Sequence, residues 1–128
     1  MNFINDEHKE FYEKHTANLY NDRERAVLFY ILGIAEETRI YIRDLYDFKG
    51  RHIKPDGLAK PWQTSSTRAL TRLAFDVFHG GPVIPEKWDE HREDALEEYS
   101  AARIFSRLNE WAPYALEAIR IRYRIPEL

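Results

Sequence analysis

Apolar residues recur at the spacing of amphipathic helices through most of the chain, and the alternation typical of strands is almost absent. The first helix is predicted to begin after Asn5 and the second at Asn21, because asparagine side chains cap helices. The second helix contains a run from Ala26 to Ala35 that is apolar nearly all round. We therefore predict that it is the most buried element.

Cap and turn residues divide the remainder into further helices. Gly50 ends the third helix, Gly80 lies where a left-handed cap follows the fourth, and Pro113 suits the first turn of the last. These later helices are predicted over residues 38–48, 65–78, 100–108 and 112–123. Short helical turns are expected at 55–59 and within a loop at 82–99.

The pattern predicts an all-α fold: a single compact domain over residues 1–128, with five or six helices packed as an irregular or orthogonal bundle. In the last helix, Leu116, Ile119 and Tyr123 are expected to face inward. A length of 128 residues with 44% hydrophobic residues suffices for one core. The absence of cysteine excludes disulfides and thiolate metal sites.

The first residues contain no cationic stretch followed by an apolar run, so no secretory signal is predicted. No window approaches the roughly 18 uninterrupted apolar residues of a membrane span. We therefore expect a cytoplasmic protein with no membrane partner.

Charge is unevenly distributed along the chain. The net charge of −3 argues against a protein that coats nucleic acid non-specifically. Between Gly57 and Phe75 there is no acidic residue, whereas Lys60, Arg68 and Arg72 are cationic. Residues 86–98 instead carry seven acids against two cations, a net charge of −5. The two segments therefore predict an anion site and an acidic surface, respectively.

The acid-free segment contains the strongest candidate site. Four consecutive hydroxyl residues lie at a predicted helix start, where free backbone N–H groups and the helix dipole favour an anion. Two arginines four residues apart share one helix face, and a tryptophan precedes them. The predicted ligand-binding residues are Trp62, Gln63, Thr64, Ser65, Ser66, Thr67, Arg68 and Arg72. Tyr114 and Arg122 are candidates for a second wall of the same pocket.

A purely structural interpretation of these residues competes with the functional one. Thr64 or Ser65 can serve only as the helix cap, Arg72 can pair with Asp76, and Trp62 can pack on the core. The aromatic and arginine residues of the last helix can likewise be core rings covered by arginine stems. No residue spacing identifies a metal site, a cofactor or a catalytic set, which favours a protein that is not an enzyme without excluding one.

Scattered blocks of the chain resemble an uncharacterised family of small proteins from Clostridia and related Firmicutes, found on mobile elements and in phage-like regions. The blocks include residues 28–32, 45–48, 62–65, 71–75, 112–114, 117–119 and 122–123, whereas residues 86–105 match least. The resemblance implies an accessory protein of a mobile element or phage, and it implies no catalytic residues.

Three functions remain open at this point. The first is non-catalytic binding of a phosphate-containing small molecule, such as an immune signalling nucleotide that a phage protein would sequester. The second is an inhibitor or adaptor that presents the acidic segment 86–98 to a basic host protein. The third is an enzyme acting on phosphoesters. The high aromatic content, 14% of residues, also suggests a homodimer face.

Overall fold

A computed structural model describes all residues from Met1 to Leu128. Helices account for nearly all of the regular structure, as predicted. The α-helices are α1 (Asp6–Thr16), α2 (Arg23–Leu32), α3 (Glu36–Ile40), α4 (Ile42–Leu45), α5 (Ser65–His79), α6 (Arg92–Glu97), α7 (Ala101–Phe105) and α8 (Ala112–Tyr123). Single 3₁₀ turns lie at Pro55–Ala59, Glu86–His91 and Asn109–Trp111. None of the helices is both long enough and apolar enough to cross a membrane.

Helix α2 lies at the centre of the fold. Every residue from Val27 to Leu32 is buried, which confirms the prediction drawn from its apolar run. Helices α1, α5 and α8 pack around it and contribute to a core of 24 buried residues. A helix that is apolar on all sides requires such partners on all sides, and this requirement fixes the arrangement.

Local cap chemistry sets several helix ends. The Asn5 side chain accepts a hydrogen bond from the backbone N–H of His8 at 2.8 Å and so begins α1 as predicted. Helix α2 begins one residue later than expected: Asp22 is the cap, while Asn21 has a left-handed backbone with φ 52°. Gly80 ends α5 with φ 82°, the left-handed geometry that glycine adopts without strain.

The segment predicted as one helix over 38–48 is broken. The backbone leaves helical geometry at Tyr41, which separates α3 from α4. An antiparallel pair of two-residue strands follows, β1 (Tyr46–Asp47) and β2 (His52–Ile53). Strands this short cannot produce a recognisable alternation, so the sequence pattern did not reveal them. This break and the short α6 raise the number of α-helices to eight.

The expected inward face of α8 is wrong. Leu116 and Tyr123 are 58% and 52% exposed, and Ala115 and Ala118 form the buried face instead. Small side chains let α8 approach α2 closely, and this contact turns the larger residues outward. Only Ile119 of the expected set is partly buried against the core.

Candidate functional site

The first turn of α5 is closed by its own side chains. The Thr64 hydroxyl accepts a hydrogen bond from the Thr67 N–H at 3.1 Å, and the Thr67 hydroxyl accepts one from the Thr64 N–H at 2.8 Å. This is a reciprocal capping box with threonine where glutamate or glutamine is usual. The predicted role of Thr64 as the helix cap is therefore confirmed, and these groups face the chain rather than a ligand.

Gln63 extends this closed network into the interior. Its side-chain amide donates to the Gly57 carbonyl at 3.1 Å and to the Thr71 hydroxyl at 3.2 Å. Its side-chain oxygen accepts from the Thr67 hydroxyl at 2.7 Å. Since Gln63, Thr67 and Thr71 are all buried, their polar atoms are committed to one another. Ser65 and Ser66 lie outside the network and make no side-chain hydrogen bond.

Trp62 packs against Tyr41 and Asp44 and not against the arginines of α5. Its indole N–H donates to a carboxylate oxygen of Asp44 at 2.9 Å, and its ring stacks on Tyr41 with centroids 4.8 Å apart and planes 12° apart. Trp62 does not line the cavity bordered by the two arginines. Its local contacts match the structural interpretation, in which it packs on neighbouring elements.

The structure does not place Tyr114 and Arg122 with the arginines of α5. Tyr114 lies beside the His8 ring, with centroids 6.4 Å apart. The Arg122 Nε donates to the Val77 carbonyl at 3.2 Å, and its Nη2 lies 3.7 Å from a Glu24 carboxylate oxygen. Both residues therefore connect α8 to its neighbours, and neither lines the cavity beside Arg68.

Arg68 and Arg72 do converge, on a cavity of about 360 Å³. It lies between α5 and the segment that runs from the second 3₁₀ turn through α6. The residues that line it are Arg68, Arg72, Trp88, His91, Asp94, Ala95 and Glu98. The Arg68 Nε donates to the Leu58 carbonyl at 2.8 Å, while its two terminal nitrogens have no protein acceptor. Each terminal nitrogen is thus free to donate to a bound anion.

Arg72 is the unusual residue of the cavity. Its side chain is only 8% exposed, yet its guanidinium makes no hydrogen bond within the protein. The nearest carboxylate oxygen belongs to Glu98 and lies 3.9 Å away, and the expected pair with Asp76 does not form. No fully buried side-chain nitrogen lacks a partner, so the Arg72 nitrogens keep some access to solvent, and the residue lines the cavity. Burial lowers the pKa of Arg72, the charge of Glu98 offsets part of this effect, and the charges of Arg68 and Arg107 lower the pKa further.

Glu98 does not neutralise Arg72 alone, because it is shared. Its carboxylate accepts a hydrogen bond from Arg103 Nη1 at 2.9 Å and another from Arg107 Nη1. The bond from Arg107 is the main reason that the pKa of Glu98 is lowered. One carboxylate thus faces three guanidinium groups, with Arg68 as a fourth cation nearby. Asp94 on the rim is exposed and weakly effective against the buried charge.

The residues of the opposite wall were not predicted from the sequence as part of the site. Trp88 is a large apolar residue within the acidic stretch, and this signal could have indicated that the stretch folds back on the core. The approach of Glu98 to α5 had no comparable signal, because it depends on the path of a long connection. No group of three or more histidine or acidic side chains is arranged to hold a metal ion.

The profile of one protein family matches residues 1–126, which is nearly the whole chain. No match was found among curated proteins or among solved structures. The family match agrees with the resemblance to an uncharacterised family. Given this coverage, the chain belongs to DUF6075, a family of unknown function.

Proposed function

We propose that the chain is a non-catalytic binding protein for a phosphate-containing small ligand, held in the cavity between α5 and the segment 86–98. The observation that carries the proposal is the buried Arg72 guanidinium, which has no hydrogen-bond acceptor in the protein. Such a weakly paired charge costs free energy, since burial removes part of its water and the Glu98 carboxylate at 3.9 Å replaces it only in part. A bound anion would supply the missing acceptors.

The chemistry of the two arginines favours phosphate among the anions. Each guanidinium presents parallel N–H donors that match two oxygens of a phosphate or carboxylate group. Arg68 and Arg72 lie one turn apart on α5 and border the same cavity, so two such forks can bind one phosphate. Trp88 and His91 provide flat surfaces along the same cavity, which suits a ligand that also carries a base.

The site differs in position from the one that the sequence pattern suggests. The amides and hydroxyls of Thr64 and Thr67 at the start of α5 are used by the capping box, so we assign anion binding to the arginine face one turn further on. The resemblance described above extends this proposal to a cytoplasmic accessory protein of a mobile element or phage. In that setting the protein would sequester a signalling nucleotide.

Isothermal titration calorimetry with inorganic phosphate, mononucleotides and cyclic dinucleotides tests the proposal. We expect at least one nucleotide to bind and to leave the solution chemically unchanged on prolonged incubation. Arg72→Gln and Arg68→Gln should each weaken that binding by about tenfold or more, since each removes a charge-assisted bidentate contact. Arg124→Gln, a change at an exposed arginine far along the chain from α5, is the matched control.

Two results would overturn this proposal. One is that no phosphate compound binds or raises the melting temperature. The other is that binding occurs but is unaffected by either α5 variant, while circular dichroism shows that both variants are folded. Turnover of a bound nucleotide would instead support the enzymatic alternative and contradict the non-catalytic assignment.

A second candidate function rests on the acidic surface. Six acids of the segment 86–97 are exposed, and neither α6 nor the 3₁₀ turn before it contains a buried residue. These acids are Glu86, Asp89, Glu90, Glu93, Asp94 and Glu97. We propose as the alternative that they contact a basic host protein by charge complementarity. In this alternative the chain itself would act as an inhibitor or adaptor of that host protein.

Affinity capture with Glu93→Gln, Asp94→Asn and Glu97→Gln combined tests this alternative. Glu98 is left intact because it holds Arg103 and Arg107. A partner that is lost in the triple variant, and lost from the native protein at high salt, supports the acidic contact. Recovery of the same partner from both proteins contradicts it. A homodimer stays a prediction, and light scattering of the native chain will test it.

A further inference from the structure

A second cavity lies on another side of the molecule, between the end of α1, α2 and the β1–β2 hairpin. Its volume is about 220 Å³. The lining residues are Lys14, His15, Asn18, Leu19, Arg25, Phe29, Tyr46, Phe48 and Arg51. None of them lines the cavity beside Arg72, so the two cavities are separate sites.

Positive charge dominates the rim of this second cavity. No acidic side chain lines it, and three of its lining residues are lysine or arginine. Arg25 is neutralised by a hydrogen bond to Asp22 at 2.7 Å. Lys14 makes no ion pair, and Arg51 lies 3.8 Å from the same Asp22 with a largely exposed side chain. Two cations are therefore available to a ligand.

Aromatic rings form the floor. His15 stacks on Phe29 with centroids 5.2 Å apart, and Phe48 lies parallel to Phe29 at 5.9 Å with an angle of 9° between planes. The Arg43 guanidinium lies 5.9 Å from the centre of the Phe48 ring and makes no ion pair. The floor is therefore a cluster of rings packed against one another, next to the cations of the rim.

The electrostatics of His15 agree with this charge distribution. Burial is the main cause that lowers the pKa of His15, and the charges of Lys14 and Arg43 lower it further. Its imidazole thus experiences positive charge from two different helices. An anion bound at the rim would offset that charge.

We propose that this cavity binds a small aromatic anion, that is, one ring bearing a phosphate or carboxylate group. The ring would contact the aromatic floor, and the anionic group would accept hydrogen bonds from Lys14 and Arg51. A cavity of about 150 Å³ is enough for a benzene ring in other proteins, so this one has room for a ring with one substituent. The proposal does not depend on the function assigned to the Arg72 cavity.

Phenyl phosphate is a suitable probe, with inorganic phosphate and phenol as its two halves. We expect phenyl phosphate to bind at least about tenfold more tightly than inorganic phosphate or phenol. Only phenyl phosphate can contact both the cations of the rim and the rings of the floor. In NMR spectra the His15 ring resonances should shift on addition of phenyl phosphate. Measuring in the Arg72→Gln background separates this binding from the cavity beside α5.

The variant Lys14→Gln combined with Arg51→Gln should weaken phenyl phosphate binding by about tenfold or more. Lys9→Gln, which removes an exposed lysine elsewhere on α1, should leave it unchanged. The proposal is overturned if phenyl phosphate leaves the His15 resonances unmoved at millimolar concentration. It is also overturned if the double variant binds as tightly as the native chain, or if inorganic phosphate alone binds equally well.

Discussion

The buried polar side chains at the start of α5 are hydrogen-bonded, whereas the two arginines in the turns that follow keep donors without a protein acceptor. At the start, Gln63, Thr64 and Thr67 exchange hydrogen bonds until no buried polar atom is left free. One and two turns later, Arg68 and Arg72 keep donors that no protein atom accepts. The two regions share one helix and one acid-free stretch of sequence, so residue type alone does not explain the difference.

The contrast separates polar residues that hold the fold from polar residues that are available for binding. A group needed for folding contributes only when its partners are built in, since an unmet buried donor costs free energy. A group that waits for a ligand must carry that cost until the ligand arrives. The contrast therefore yields opposite expectations for stability when residues of the two regions are replaced.

The largest effect is expected from Gln63→Ala. The change removes three hydrogen bonds, takes from the buried Thr67 hydroxyl the acceptor at 2.7 Å, leaves the carbonyl of Gly57 without its donor, and opens a small cavity. We expect the free energy of unfolding in urea to fall by about 4 kcal/mol. Ser66→Ala, at a hydroxyl with no hydrogen bond, is the control. A loss no larger than that of the control would show that the network does not stabilise the fold.

His8 extends the comparison to a titratable group that is fully satisfied. It is completely buried, its Nε2–H donates to the Tyr30 carbonyl at 2.7 Å, and its Nδ1 accepts from the Ile4 N–H at 3.2 Å. The bond from Ile4 requires the neutral ring, because Nδ1 accepts a hydrogen bond only when it carries no proton. Burial accordingly lowers the pKa of His8 from 6.5 to about 4, which is only partly offset by the bond to Tyr30.

This lowered pKa predicts a stability loss in acid. Between pH 6.5 and about 4 the unfolded chain binds a proton at His8 that the folded chain does not, so the free energy of unfolding falls as the pH falls. Over that window the contribution of His8 is about 3 kcal/mol. The contribution of His8 is isolated by comparing the free energy of unfolding of the native chain with that of His8→Gln, measured by chemical unfolding across this pH range. Parallel stability curves for the two proteins would contradict the assignment.

Arg72→Met tests directly whether the weakly paired guanidinium lowers the stability of the ligand-free protein. Methionine fills similar space without a charge, and Glu98 keeps Arg103 and Arg107 as partners. We expect the ligand-free protein to gain about 1 to 2 kcal/mol in the free energy of unfolding, because a poorly paired buried charge is removed. Phosphate binding should be lost in the same variant. Destabilisation by a comparable amount would mean that Arg72 holds the fold through Glu98 and is no vacant ligand site.

Much of the fold could be predicted from periodicity and caps. The apolar run of α2, the Asn5 cap and the Gly80 cap are local signals, and each produced the expected structure. The break at Tyr41 and the outward turn of Leu116 could not be predicted in the same way. Both depend on how closely neighbouring elements approach, which a helical repeat does not encode.

The candidate site could be predicted only in part for a related reason. The spacing of Arg68 and Arg72 placed them on one helix face, and the structure brings both to one cavity. The sequence could not distinguish which of the neighbouring hydroxyls would be consumed by capping. Nor does the sequence indicate that a Glu98 carboxylate oxygen lies 3.9 Å from Arg72 Nη1. This distance is too long for a hydrogen bond, so the guanidinium keeps donors for a ligand.

The smallest effect separates adjacent hydroxyls at the start of α5. Thr64 caps the helix, whereas the exposed Ser65 makes no side-chain hydrogen bond. Thr64→Ala should lower the free energy of unfolding by about 1 kcal/mol, because it leaves the Thr67 N–H unpaired, and Ser65→Ala should change it by less than about 0.5 kcal/mol. Both variants should bind phosphate compounds as the native chain does, since neither residue lines the arginine cavity. If Ser65→Ala weakened phosphate binding instead, the exposed hydroxyl would belong to the ligand site, and the boundary between the two regions of α5 would move one turn toward its start.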